Sequence, residues 1–135
     1  VKALVDTCIW SQVLRRKEPN NEFTQKLGEL VSDSRVEIIG PIRQELLSGI
    51  SDPNQFIKLK NHLASFEDIA LRTEHFVKAS EFSNICRANG VQGSTIDFLI
   101  CSVAVTENLF IFTTDKDFDN YAQYLPIRLY KLFTI

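Results

Sequence analysis

Short apolar runs of strand character, alternating with stretches of helical period, constrain this chain more than any other feature. Ala3-Leu4-Val5, Val36-Glu37-Ile38-Ile39 and Leu109-Phe110-Ile111-Phe112 are brief and rich in β-branched or aromatic residues, the pattern of buried strands. Ile127-Arg128-Leu129-Tyr130 alternates instead, as a strand at a sheet edge does. Between these runs apolar residues recur at helical spacing: Phe23, Leu27, Leu30 and Val31; Phe56, Leu59 and Leu63; Phe76, Ala79, Phe82 and Cys86; Ile96, Leu99, Ile100 and Val103. Asn89-Gly90 supplies a left-handed stop, and Pro41 and Pro53 suit the first turns of helices. Strands alternating with helices predict an α/β fold, a three-layer α/β/α sandwich with a mainly parallel central sheet and right-handed crossovers.

A length of 135 residues suits a single domain spanning 1–135, and no repeat or linker divides it. Hydrophobic residues at 44% and charged residues at 24% exclude extended disorder. No apolar run reaches the ~18 residues of a membrane span, and Asp6 comes too early for a signal peptide, so a cytoplasmic location is expected. The absence of Met points to a trimmed start or a non-ATG initiation. Cys8, Cys86 and Cys101 form an odd set without a CxxC pair, among apolar or small neighbours, and read as reduced thiols in or near the core. A net charge of −2 supplies no general positive field, so nucleic-acid affinity requires a local patch.

In open parallel sheets the ligand site lies beyond the carboxyl ends of the strands. Asp6 ends the first run, Asp115 follows the third, Glu45 sits in the opening turns of the helix after the second, and Asp97 lies in the first turn of the helix that begins near Ser94. Topology alone gathers these four at one edge. Two carboxylates about 5 Å apart repel by roughly 3 kcal/mol at an effective dielectric near 20, so four together require cations or protons. An all-oxygen set without a nearby His or Cys selects Mg²⁺ or Mn²⁺ over Zn²⁺. His62 and His75 are expected on helix surfaces, outside the chemistry. Each acid also has a humbler reading: Asp97 in a capping box with Ser94, Asp6 as a strand-end turn residue, Glu45 as a solvated helix residue, Asp115 as a cap or turn.

Leu4-Val5-Asp6-Thr7-Cys8-Ile9, Pro41-Ile42-Arg43-Gln44-Glu45-Leu46-Leu47-Ser48-Gly49, Thr95-Ile96-Asp97-Phe98-Leu99-Ile100-Cys101-Ser102-Val103-Ala104 and Ile111-Phe112-Thr113-Thr114-Asp115-Lys116-Asp117-Phe118 follow one another in a telling order. With them the chain resembles the PIN-domain ribonucleases, specifically the VapC toxins of toxin–antitoxin pairs, over nearly its whole length. The resemblance implies a PIN-like sandwich and an Mg²⁺- or Mn²⁺-dependent endoribonuclease that cleaves phosphodiesters by metal-activated water. It places the catalytic and metal-binding acids on Asp6, Glu45, Asp97 and Asp115, and helper hydroxyls on Thr7 and Thr113. Asp117 and Asp119 are further acids of open role, Asp117 either auxiliary to the metal site or a helix cap. Cys8 stands where the family commonly has Ser, and Cys101-Ser102 replaces a small Ala pair.

The same resemblance implies an RNA substrate, transfer RNA among the candidates, a VapB-like antitoxin that occupies the acidic groove with a basic side chain, and a toxin homodimer. Trp10, Leu14, Phe23, Leu27, Leu30 and Val31 are the expected partner-binding stripe, with internal packing as the alternative for Phe23, Leu27 and Val31. Arg15-Arg16-Lys17, Arg43, Lys116, Arg128 and Lys131 are candidate contacts to RNA phosphates, with a merely solvated charged face as the commoner alternative. Two rival classes remain. An Mg²⁺-dependent receiver or phosphohydrolase also groups acids at strand ends, but requires an adjacent acidic pair or Asp-x-Asp-x-Thr where Asp6 is followed by Thr7-Cys8-Ile9. A non-catalytic module with a PIN-like fold is separated from an enzyme by a metal titration.

Overall fold

The computed structural model describes residues 1–15 and 21–132. The basic run Arg15-Arg16-Lys17 therefore lies outside the described residues, apart from the backbone of Arg15. In chain order the elements are β1 (Ala3–Val5), α1 (Thr7–Arg15), α2 (Glu22–Ser32), β2 (Val36–Glu37), α3 (Gly40–Leu47), α4 (Pro53–Leu63), α5 (Thr73–Ala88), α6 (Thr95–Thr106), β3 (Phe110–Phe112) and α7 (Asp117–Ala122). The sheet runs β2-β1-β3 and every pairing is parallel, with Ala3 opposite Val36 and Val5 opposite Phe112. Single parallel bridges extend it, Ile38 to Asp68 on one side and Ile111 to Leu129 on the other. The strand-like run ending at Tyr130 thus contributes one bridge at the edge.

β1 is buried along its whole length, which is why its three residues show no alternation of apolar and polar side chains. Helices cover the sheet in the α/β/α manner of a PIN-like fold, and Leu4, Ile9, Ile38, Ile42, Leu63, Ile100 and Phe112 share one core. Local chemistry sets the helix ends. Asn21 and Ser94 cap α2 and α6, accepting from the N–H groups of Thr24 and Asp97. Pro41 and Pro53 open α3 and α4. Gly90, at φ 77°, takes the left-handed conformation that ends α5.

Which face of a helix turns inward is less legible, and several expectations are corrected. In α5 the inward stripe begins at His75, continues through the partly buried Ala79 and ends on Phe82 and Cys86, while Phe76 is half exposed. His75, expected on the surface, is fully buried: its Nδ1 accepts the Arg72 N–H at 2.9 Å at the start of α5, and its Nε2 lies 3.9 Å from Glu107 Oε1. The imidazole serves the helix start. His62 is exposed, as expected.

The partner-binding stripe divides in the same way. Trp10, Leu27 and Leu30 belong to the core, so they offer no surface to a partner. Trp10 donates from Nε1 to the Val5 carbonyl at 3.1 Å and meets Phe66 edge-on. Leu14 and Phe23 are partly buried, and of the six only Val31 is exposed. Arg43 is likewise withdrawn from RNA contact: it pairs with Asp68 at 3.0 Å and donates to the carbonyls of Leu63, at 2.9 Å, and Phe66, tying α3 to the end of α4. Arg128 donates to Asn108 at 2.7 Å and covers the Phe110 ring, and Lys131 pairs with Asp119 at 3.3 Å.

Candidate metal centre

Parallel pairing of β1 with β3 brings the residues that follow them side by side. Val5 faces Phe112 across the ladder, and the Asp6 N–H continues it to the Phe112 carbonyl at 2.9 Å. Asp6 and Thr113 consequently emerge together, and the Thr113 hydroxyl donates to Asp6 Oδ2 at 2.8 Å. The Asp6 carboxylate is 9% exposed, accepts the Thr7 N–H on Oδ1 at 2.8 Å, and has the Cys8 thiol 3.6 Å from Oδ2. Burial pushes its pKa above the ordinary carboxylate value; the Thr113 and Thr7 bonds oppose the rise, and repulsion from Asp97 adds to it.

The other acids gather from three segments. Asp97 stands in the first turn of α6, where the Ser94 hydroxyl accepts its N–H at 3.0 Å. Ser94 is therefore the cap, and the Asp97 carboxylate is left free for another role. Asp115 accepts the Asp117 N–H at 2.9 Å, and its own N–H donates to Thr113 Oγ1 at 3.0 Å. Oxygen atoms of Asp97, Asp115 and Asp117 all lie within 4.8 Å of one another. Asp6 lies outside this trio but is linked to it through Thr113, which donates to Asp6 and accepts the Asp115 N–H, and its charge repels that of Asp97. Glu45 reaches the edge from α3, accepting the Thr7 hydroxyl on Oε2 at 3.2 Å. It lies outside the closest trio, and Asp119 pairs with Lys131 instead.

Two residues in the setting were not singled out by sequence. In sequence Cys8 reads as a reduced thiol standing where the family commonly has Ser, without a role at the site; its Sγ accepts the Thr114 N–H at 3.3 Å and touches Thr113 Oγ1 at 3.3 Å, beside Asp6. Tyr121, on α7, is fully buried and donates its hydroxyl to Asp97 Oδ2 at 2.7 Å. Its signal was present: Phe118 and Tyr121 stand three apart on a short helix, and a buried tyrosine hydroxyl needs an acceptor. Burial raises the Asp97 pKa, opposed by its bonds to Tyr121 and Ser94 and assisted by Asp115 and Asp117.

The donor set fits a hard divalent cation. Oxygens on one Mg²⁺ stand about 3 Å apart when adjacent and about 4.2 Å apart when opposite, so Asp97, Asp115 and Asp117, within 4.8 Å of one another, would close in on the ion by side-chain rotation to share it. The same carboxylates without a cation repel, and that repulsion adds to the burial that chiefly raises the Asp6 and Asp97 pKa values. No His side chain belongs to the trio, in keeping with oxygen chemistry. A separate groove of about 760 Å³ lies between α1 and α4, lined by Val13, Leu14, Ile50, Asp52, Leu59 and His62 among others, and contains none of Asp6, Glu45, Asp97, Asp115 and Asp117.

The PIN domain model matches residues 3–124, nearly all of the chain that carries these elements. The chain belongs to the PIN domain family. No curated protein matches this PIN domain. Among solved structures, FitAcB from Neisseria gonorrhoeae superimposes with a TM-score of 0.78 at 17% identity, over 96% of this chain and 97% of that one. VapBC2 from Rickettsia felis, solved with a DNA fragment from its promoter, gives a TM-score of 0.77 at 19% identity, over 96% and 98%. A toxin–antitoxin complex from Klebsiella pneumoniae gives 0.71 at 17% identity, over 99% and 100%. At these identities the likeness is one of fold. Within it, the PIN domain places Asp6, Asp97, Asp115 and Asp117 at the carboxyl ends of β1 and β3, where an α/β sheet takes its ligand.

Proposed function

We propose that this PIN domain is an Mg²⁺- or Mn²⁺-dependent endoribonuclease and the toxin of a toxin–antitoxin pair. The observation that carries the reading is the acid trio of Asp97, Asp115 and Asp117 within 4.8 Å, set beside the buried Asp6. Asp6, Asp97 and Asp115 would hold the cation, with Glu45 and Asp117 completing or orienting its surroundings. The ion, when bound, lowers the pKa of water and neutralises the charge that develops on the phosphodiester.

The chain's own residues prepare that chemistry. Thr113 and Thr7 donate to Asp6, holding its carboxylate against the burial that favours the protonated form. Thr7 also holds Glu45 at the same edge, joining α1 to α3. Lys116, exposed between Asp115 and Asp117, is placed to meet an RNA phosphate beside the acids. Because Arg43, Arg128 and Lys131 have intramolecular partners, Lys116 takes the larger share of that contact.

The toxin reading is supported by the fold shared with the Klebsiella pneumoniae toxin–antitoxin complex. A VapB-like antitoxin would set a basic side chain among the acids, as a guanidinium bridges carboxylates. Its apolar contact would fall on Leu14 and Val31 and on the groove formed with Val13, Ile50 and Leu59, since Trp10, Leu27 and Leu30 are occupied by the core. The toxin would act in the cytoplasm as a homodimer on an RNA such as transfer RNA. No helix among the described residues is long and apolar enough to cross a membrane. The test is incubation of the purified protein with total RNA in Mg²⁺, Mn²⁺ or EDTA, with the cut ends mapped. Cleavage that needs the ion and disappears in Asp97→Asn supports the reading; cleavage indifferent to both overturns it.

A further inference from the structure

We infer that Tyr121 is a positioning residue of the metal centre, its hydroxyl fixing the Asp97 carboxylate in the orientation that takes the cation. The inference rests on the metal-site reading above and adds to it a residue outside the acid set. Tyr121 is fully buried, so its hydroxyl has no bulk water to turn to, and its partner is Asp97 Oδ2 at 2.7 Å. The ring is held from two sides, by Phe98 at 5.0 Å and Phe118 at 5.2 Å between centroids. Phe98 follows Asp97 on α6, and Phe118 follows Asp117 on α7, so one tyrosine packs against the neighbours of two site acids while bonding to one of them.

An aspartate in the first turn of a helix would otherwise choose among rotamers and cap backbone N–H groups. Here Ser94 takes the cap, and Tyr121 takes Oδ2, leaving the remaining lone pairs of Asp97 to face Asp115 and Asp117. Gly93 makes the arrangement sterically possible, because a Cβ at that position would collide with the Tyr121 hydroxyl. Outer hydrogen bonds of this kind typically contribute 10- to 100-fold in metal affinity, by removing the freedom the ligand would lose on binding.

The test uses the full chain, stripped with EDTA and desalted, with Mn²⁺ as the probe and free Mn²⁺ measured by electron paramagnetic resonance. Tyr121→Phe keeps the ring and deletes the donor. It should raise the Kd for Mn²⁺ by about tenfold, while the melting temperature in EDTA moves by no more than a few degrees. Phe118→Leu keeps the hydroxyl but loosens one wall of the ring, and should lower the melting temperature while raising the Kd less than Tyr121→Phe does. Gly93→Ala should weaken Mn²⁺ binding by displacing the ring and its hydroxyl, and should weaken it less once Tyr121→Phe has already removed the donor. If the wild type binds Mn²⁺ and Tyr121→Phe matches it within twofold, the role of Tyr121 is overturned while the metal site stands. A wild type that binds no Mn²⁺ removes the metal site itself, and the inference with it. Should Tyr121→Phe not fold, Gly93→Ala decides alone, and an unaltered Kd in that variant overturns the inference.

Discussion

The Thr113 hydroxyl donates to Asp6 Oδ2 at 2.8 Å while accepting the Asp115 N–H at 3.0 Å, so one side chain joins the acid after β1 to the acid after β3. Thr113→Val keeps the shape and removes both bonds. Mn²⁺ affinity and RNA cleavage should each fall by about an order of magnitude, whereas Thr113→Ser should retain most of both. Equal Mn²⁺ titrations of the wild type and Thr113→Val would show that the bond is dispensable.

Binding linkage gives the acids a stability signature. A ligand at a hundredfold excess over its Kd stabilises by about 2.7 kcal/mol, which for a domain of this size corresponds to a rise in Tm on the order of 10 °C. Millimolar Mg²⁺ or Mn²⁺ should therefore raise the Tm of the EDTA-stripped protein, and Asp6→Asn should shrink the rise. A wild-type Tm indifferent to both ions would deny that the acids share a cation.

The same protein without metal should lose stability as pH rises. Asp6 and Asp97 have folded pKa values above the unfolded 3.8, chiefly through burial, so the native state holds more protons in the interval. Unfolding free energy contributed by these two groups then falls from about pH 3.8 upward and levels off above the raised values. Melting in EDTA across that range should show a shallower decline for Asp6→Asn than for the wild type; parallel curves would place Asp6 in a solvated setting. Saturating Mn²⁺ should remove the difference at neutral pH for the wild type alone.

Core and surface readings of the α2 stripe separate by substitution. Leu27 is 3% exposed, so Leu27→Ala should cost about 2–5 kcal/mol in denaturant unfolding, and Leu27→Asp should leave little folded protein. Val31→Asp should stay within about 0.5 kcal/mol of the wild type and weaken antitoxin binding while cleavage persists. Unchanged antitoxin affinity in Val31→Asp would move the contact elsewhere.

Arg43 offers a further contrast. Because its guanidinium joins Asp68 to the carbonyls of Leu63 and Phe66, Arg43→Ala should destabilise by about 1–3 kcal/mol and leave cleavage per folded molecule near wild type. A selective rise in KM for RNA at unchanged stability would restore Arg43 to the substrate surface.

What the sequence determined by itself was the part of the fold that local geometry controls. β-branched runs at Ala3–Val5 and Phe110–Phe112, helical spacing through Leu27 and Leu30 or Leu99 and Val103, and stops such as Gly90 express steric and periodic preferences of a few neighbouring residues. From these the parallel sheet followed, and with it the placement of Asp6 and Asp115 near one edge, since each directly follows a strand or its short extension. Tertiary structure decided what depends on partners distant in the chain. His75 entered the core in place of Phe76 because α5 packs against α6 on the face that carries it, and Arg43 left the solvent because the carbonyls of Leu63 and Phe66 came within reach. The bond of Tyr121 to Asp97 spans 24 residues, and neither helix alone encodes it. A spacing pattern reports which residues share a face, but the orientation of that face, and the atom that satisfies each buried donor, are set by which elements dock together and how closely.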